Sequence, residues 1–157
     1  MAEVVVRRGG AEDVGPAFAV WRAAETARRG GPPPCVSEGR VRGYARRARA
    51  SLFVAEGGAG EVVGMSLLTP ATSCPSDVSV LQMVFVSPER WGEGIGGGLV
   101  EAALAEARSG GYGQCWLWAR ACDERVRRLY EGRGFRRSGR QQTGESGDRI
   151  VHYERAL

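Results

Sequence analysis

Five glycines, Gly92, Gly94, Gly96, Gly97 and Gly98, fall within seven residues, directly behind the nearly unbroken apolar run Val80-Leu-Gln-Met-Val-Phe-Val86. Glycine lacks a Cβ, so a ligand can approach such a backbone closely. Apolar residues at helical spacing, Ile95, Leu99, Val100, Ala103, Leu104 and Ala107, form a stripe that Gly110-Gly-Tyr-Gly113 stops. The pattern predicts a buried strand, a tight turn and a helix from Leu99 to Ser109. A helix N-terminus offers unpaired N–H groups and the positive end of its dipole. Both suit a phosphate, and a run of glycines suits a pyrophosphate.

Two other phosphate sites use the same physics, and the chain departs from each. No Gly-Lys-Ser/Thr follows the turn, so a triphosphate site lacks its lysine and its magnesium-binding hydroxyl. A dinucleotide turn opens the first βαβ unit, whereas this one lies past the middle of the chain. The stretch Val86-Ser-Pro-Glu-Arg-Trp-Gly-Glu-Gly-Ile-Gly96 resembles instead the acetyl-CoA signature of the GNAT superfamily of N-acetyltransferases, Gln/Arg-x-x-Gly-x-Gly/Ala, with Trp91 in place of the usual Gln or Arg. Leu129-Tyr-Glu-Gly-Arg-Gly-Phe135 resembles the second signature of that family, Phe/Leu-Tyr-Glu-x-x-Gly-Phe, and Ile150-Val-His-Tyr-Glu-Arg155 resembles its closing strand. The two signatures stand in the family order and spacing, and the resemblance runs from Val4 to Leu157.

The resemblance implies an α/β fold: a mixed sheet of about six to seven strands with about four flanking helices and a splayed pair of parallel strands. It implies acetyl-CoA as cosubstrate and CoA as product, with direct attack by a primary amine in a ternary complex. The implied cofactor contacts are Val84, Phe85 and Val86 along the pantetheine arm, and Trp91, Gly92, Glu93, Gly94, Ile95, Gly96 and Gly97 around the pyrophosphate. Tyr130 becomes the candidate proton donor to the CoA sulfur, since a phenol with a pKa of about 10 holds its proton at neutral pH. Asp123 stands where many relatives carry an Asn that contacts pantetheine; aspartate accepts but cannot donate, and its helix-capping role is the competing reading. The general base stays open. The central strand offers Val80 and Gln82, the next strand Trp118, and a water relay to Asp77 or Glu89 or loss of the proton to solvent are the alternatives. The missing carboxylate also admits a non-catalytic acyl-CoA-binding module or sensor.

The elements that would position these groups follow from periodicity. Val4 to Arg8 reads as a strand. Asp13 sits at an N-cap, and Val14, Ala17, Phe18, Trp21 and Ala24 mark the inner face of a helix. Ser37 can cap a second helix to about Ala50, with Val41, Tyr44, Ala45 and Ala48 inward and several arginines on the solvated face. Residues 51–56 and 62–69 form a hairpin about Gly57-Gly-Ala-Gly60. Cys115 to Arg120 should lie parallel to Val80–Val86 through a right-handed crossover, leaving a crevice at their carboxyl ends. Asp123 caps a short helix with Val126, Leu129 and Tyr130, a strand begins at Phe135, and Gln141 to Arg149 reads as a polar loop. The resemblance implies that the loops Gly30 to Ser37, Ala71 to Asp77 and Gln141 to Arg149 would shape the acceptor pocket. Glu145 and Asp148 read as part of a solvated loop or as attractors for a cationic amine, and Trp118 reads as an aromatic wall or as core.

Composition bounds the rest. The 157 residues, 43% hydrophobic, suit one domain over residues 1–157. The net charge of +4 rests on arginine alone, for the chain has no lysine. A mild positive field would draw in a polyanionic cofactor but is too small to argue for nucleic acid. That bias, with much Ala and Gly, looks bacterial. No apolar run approaches the roughly 20 residues of a membrane span, and no signal pattern opens the chain, so a cytoplasmic protein is expected, with no membrane partner. Cys35, Cys74, Cys115 and Cys122 lack metal-site spacing and read as free thiols, and His152 is the only histidine. A homodimer is compatible with the resemblance.

Overall fold

The computed structural model describes residues 3–72, 77–144 and 147–157. Cys74 and Glu145 lie outside the described residues. Seven strands form one sheet in the order β1-β2-β3-β4-β5-β7-β6: β1 Val5–Arg8, β2 Ser51–Glu56, β3 Val62–Pro70, β4 Val78–Val86, β5 Gln114–Arg120, β6 Arg136–Thr143 and β7 Arg149–Ala156. Every neighbouring pair is antiparallel except β4 and β5. Four helices flank the sheet: α1 Val14–Arg29, α2 Cys35–Ala45, α3 Ile95–Ser109 and α4 Glu124–Glu131. Among the described residues no helix is long and apolar enough to cross a membrane.

Both faces of the central strands are covered, which is why β3 and β4 read as apolar runs rather than alternating ones. On one face Phe18 and Trp21 of α1 and Val41 of α2 pack on Val54, Met65, Leu67 and Met83. On the other, Val100, Ala103 and Leu104 of α3 and Tyr130 of α4 pack on Leu68, Leu81, Leu117, Phe135 and Tyr153. Ile95 and Leu99 complete that side against Phe53, Ala55 and Val63. Gly64 on β3 admits this packing, since a Cβ there would sit 2.9 Å from Leu99.

The sheet opens at a defined point. The parallel pairing of β4 with β5 holds only from Val78↔Gln114 to Val80↔Trp116. Immediately beyond, the β3–β4 register slips: Leu68 faces Leu81 while Leu67 faces Met83, leaving Gln82 as an extra residue on β4. Such a bulge bends and twists its strand. Here it carries β4 away from β5, while β5 stays bonded to β7 along its whole length.

Three sequence expectations shift. The helix behind the glycines starts at Ile95, four residues before Leu99, so Gly96, Gly97 and Gly98 form its first turn. Helix α2 begins at Cys35 after Pro34 and ends at Ala45, with Ser37 buried inside it rather than capping it. The preceding prolines set the entry, and Arg49, at φ 64, follows in the left-handed region. Strand β6 runs on to Thr143, because Gln141–Thr143 pair with Val151–Arg149. This is an edge strand exposed along nearly all its length, so its polar residues carry no apolar alternation to betray it.

Candidate functional site

Where β4 and β5 part, a cavity of about 500 Å³ lies between β4, the start of α3 and the start of α4. Ser87 donates its N–H to Val63 on β3. Backbone groups of successive strand residues point to opposite sides, so Val84 and Val86 turn theirs toward the gap left by β5. Val84, Phe85 and Val86 line the cavity, together with Trp91, Gly92, Gly94, Ile95, Gly96 and Gly97. Gly92 and Gly94 sit at φ 89 and 80 with open space where a Cβ would be, so what they supply is backbone conformation. No side chain caps α3 at Gly94, and its first N–H groups have no partner within the helix.

Trp91 lines the cavity beside those amides. Its indole turns back and donates from Nε1 to the Val86 carbonyl at 2.8 Å, and the Arg125 guanidinium lies over its ring at 5.2 Å. Glu93, of unfavourable sign beside an anion site, is held in a two-point pair with Arg90 at 2.9 and 3.0 Å, which lowers its carboxyl pKa from the usual range. A further cation comes from the second signature. Arg133 lies so close to Gly97 that a Cβ there would run into its guanidinium, and its buried Nε has no hydrogen-bond partner, though it lies 3.5 Å from the Glu101 carboxylate.

Asp123 lines the same cavity and caps α4, accepting from the Val126 N–H at 3.1 Å with Oδ1, while Oδ2 lies 3.8 Å from Arg28. Tyr130 is buried in the core, edge-on to Phe135 at 5.7 Å and beside Tyr153, and lines neither this cavity nor the one on the other side of β4, although its helix neighbour Leu129 lines this one. Burial pushes its phenol pKa well up, against the pull of the nearby Arg28 charge, so it keeps its proton across the neutral range.

A second cavity of about 650 Å³ opens on the other side of β4, between α1, α2 and the faces of β5 and β7. The two cavities share Arg28 and Phe85, whose guanidinium and ring stack at 5.6 Å. Trp116 and Trp118 form an aromatic wall here, with His152 set edge-on between them at 5.1 and 5.0 Å. His152 contacts Ser138 Oγ through Nδ1 at 2.8 Å, and desolvation, with Arg140 next, lowers its pKa below the ordinary value. All three anticipated loop regions reach this cavity, through Ser37, through Ala71 and Thr72, and through Gln142, Gly144 and Asp148. Gln82 lines it too, but its amide donates to Thr69. Asp77 and Glu89 line neither cavity.

Glu25 is the group that sequence reasoning passed over. It is 8% exposed, lines the second cavity, and lies 3.4 Å from Arg28 and 3.5 Å from Arg120. A signal existed: Glu25 follows Trp21 by four and Phe18 by seven, which places a charge on the buried face of α1. None of the thiols among the described residues lines either cavity. Cys115 is buried, which pushes its pKa up to about 11, and Cys35 and Cys122 are exposed and free.

Residues 19–135 match the model of the Acetyltransferase (GNAT) family. The uncharacterized N-acetyltransferase YjgM of Escherichia coli (strain K12) is 36% identical over 76 residues, 48% of this chain and 46% of that protein, so the match spans about half the length of the curated relative. The fold is similar to that of the ribosomal-protein-S18-alanine N-acetyltransferase from Escherichia coli, with a TM-score of 0.79 at 17% identity over 99% of this chain and 94% of that one. A chain of the NatC complex bound to Gag peptide and CoA gives a TM-score of 0.76 at 16% identity over 99% of both chains.

Proposed function

The chain belongs to the GNAT acetyltransferase family, and from that premise we propose that it moves an acetyl group from acetyl-CoA to a primary amine, with both substrates bound at once. The observation that carries this reading is the meeting of two cavities at Phe85 and Arg28, one floored by a glycine-rich helix start and the other open to an acceptor. The residues present fit the cofactor. The uncapped amides of α3 suit its diphosphate, Arg133 and Arg125 add positive charge nearby, and the backbone of Val84 and Val86 faces the gap as a strand edge would. When bound, acetyl-CoA supplies an acyl group already activated as a thioester.

The protein's own groups then have separate tasks. Main-chain donors on β4 orient the arm and stabilise developing negative charge on the acyl oxygen. With the Val86 carbonyl taken by the Trp91 indole, Val84 keeps the freer acceptor. Tyr130 holds its proton on Oη for the departing sulfur.

Calorimetry should find micromolar acetyl-CoA binding, and a thiol-release assay across amine classes should find turnover. Tyr130→Phe should lower kcat by about a hundredfold while leaving cofactor affinity nearly unchanged. Absence of acetyl-CoA binding would sink the proposal. Tight binding with no turnover on any amine would make the protein a binding module instead.

A further inference from the structure

The second cavity has an unusual charge lining. Among the described residues it presents the guanidiniums of Arg28, Arg29, Arg40, Arg47, Arg120 and Arg140 against two carboxylates, Glu25 and Asp148. Both carboxylates are already engaged from within the cavity. Glu25 lies between Arg28 at 3.4 Å, Arg120 at 3.5 Å and Arg29 at 3.9 Å, and Asp148 lies 3.6 Å from Arg120. Arg140 and Arg47 rest on aromatic rings instead. The Arg140 guanidinium lies 5.4 Å from the Trp118 ring and 5.9 Å from Trp116, and that of Arg47 lies 4.7 Å from Tyr44. Neither has an ion-pair partner among the described residues. An aromatic face fixes a guanidinium in place without neutralising it, and leaves its N–H fork free for a planar anion.

Resting on the acetyltransfer reading, we propose that the acceptor is a small amine that also carries a carboxylate on an apolar or aromatic body, of the α-amino acid class, with Arg140 as the principal carboxylate receptor. A polycation such as a polyamine would meet like charge at Arg140 and Arg47, whereas a carboxylate finds at Arg140 a guanidinium fork in the geometry that suits it. Trp116, Trp118 and Met83 provide the apolar wall for the body of the acceptor. The same field bears on the missing carboxylate base. Positive neighbours disfavour the ammonium form, so a bound amine reaches its neutral, nucleophilic state more readily. Asp148, which the sequence offers as an attractor for a cationic amine, lies 3.6 Å from Arg120.

The test compares phenylalanine, tryptophan and methionine with their own amides and decarboxylated amines, and with spermidine, at saturating acetyl-CoA. The free acids should show at least tenfold higher kcat/KM than the matching amides. Arg140→Gln should shrink that ratio to within threefold, through KM for the acid, with the acetyl-CoA dissociation constant unaltered. Calorimetry of N-acetylphenylalanine against N-acetylphenylalaninamide, with and without CoA, reads the same preference without turnover. Tighter binding of the acid there upholds the inference even if no amine is acetylated and the catalytic reading fails. Equal binding of acid and amide, faster acetylation of spermidine or the amides, or acetylation of acidic-N-terminal peptides but of no free acid would overturn it and leave the acetyltransfer reading in place.

Discussion

His152 shows how one side chain can make the protein's stability depend on pH. It is 2% exposed, wedged between two indoles, and the sole histidine of the chain. Its folded pKa is lowered from 6.5 by desolvation and by Arg140. The unfolded chain therefore takes up a proton, as the pH falls below about 6.5, that the folded protein refuses. The contribution is fully present above that pH and is lost as the pH drops through the folded value. Melting of the wild type and of His152→Gln between pH 7.5 and 5 should show the wild type losing more stability on acidification, by at most about 1.4 kcal/mol per pH unit. Parallel curves would place the acid sensitivity elsewhere. Asp13 titrates lower still. Its carboxyl, held by Arg7 and the Gly10 N–H at 2.8 Å, falls to about 2, and so it looks back toward β1 and does not bond the amides of the helix it precedes.

At the scale of elements, the start of α3 separates two uses of glycine. Gly94 has room for a methyl group but a φ of 80, so Gly94→Ala should cost roughly 1–2 kcal/mol of backbone strain and weaken acetyl-CoA binding by displacing the first amides. Gly97 has an ordinary helical φ but no room. Gly97→Ala should improve helix propensity while pushing Arg133 away, and so weaken cofactor binding with little loss of melting temperature. Denaturant titrations paired with calorimetry on the two variants would check that contrast. If both variants lost stability and affinity in the same proportion, the distinction would be wrong. The glycine run itself was legible in the sequence, yet its three adjacent glycines read as turn because their helix propensity is poor. Their place in the first helical turn follows from packing by Ile95 and Leu99, which local composition does not express. The Gln82 bulge was equally hidden, since an extra residue in a buried strand changes register without changing residue type.

For the whole molecule, the order of elements and the existence of a crevice could be read from two short signatures and the apolar periodicities around them. The charge distribution could not. Arginines scattered from Arg28 to Arg140 look like a solvated surface along the chain, and only the folding of α1, α2, β5 and β6 around one space gathers them. Glu25 belongs to the same group, a buried charge whose partners lie three, four and 95 residues away. Ligand binding should be visible globally as well. At a hundredfold excess over its dissociation constant, acetyl-CoA should stabilise the native state by about 2.7 kcal/mol, which for a chain of this size is a rise of roughly 5 to 10 °C in melting temperature. A scan with and without cofactor checks this, and no rise would mean that the crevice is not the binding site.

Arg28 belongs to the walls of both cavities and stacks on Phe85 between them. Two ligands that touch the same guanidinium cannot be thermodynamic strangers. Whatever factor the first occupant adds to or subtracts from the affinity of the second, the second must return to the first, so the order of arrival is free to vary while the coupling energy is not.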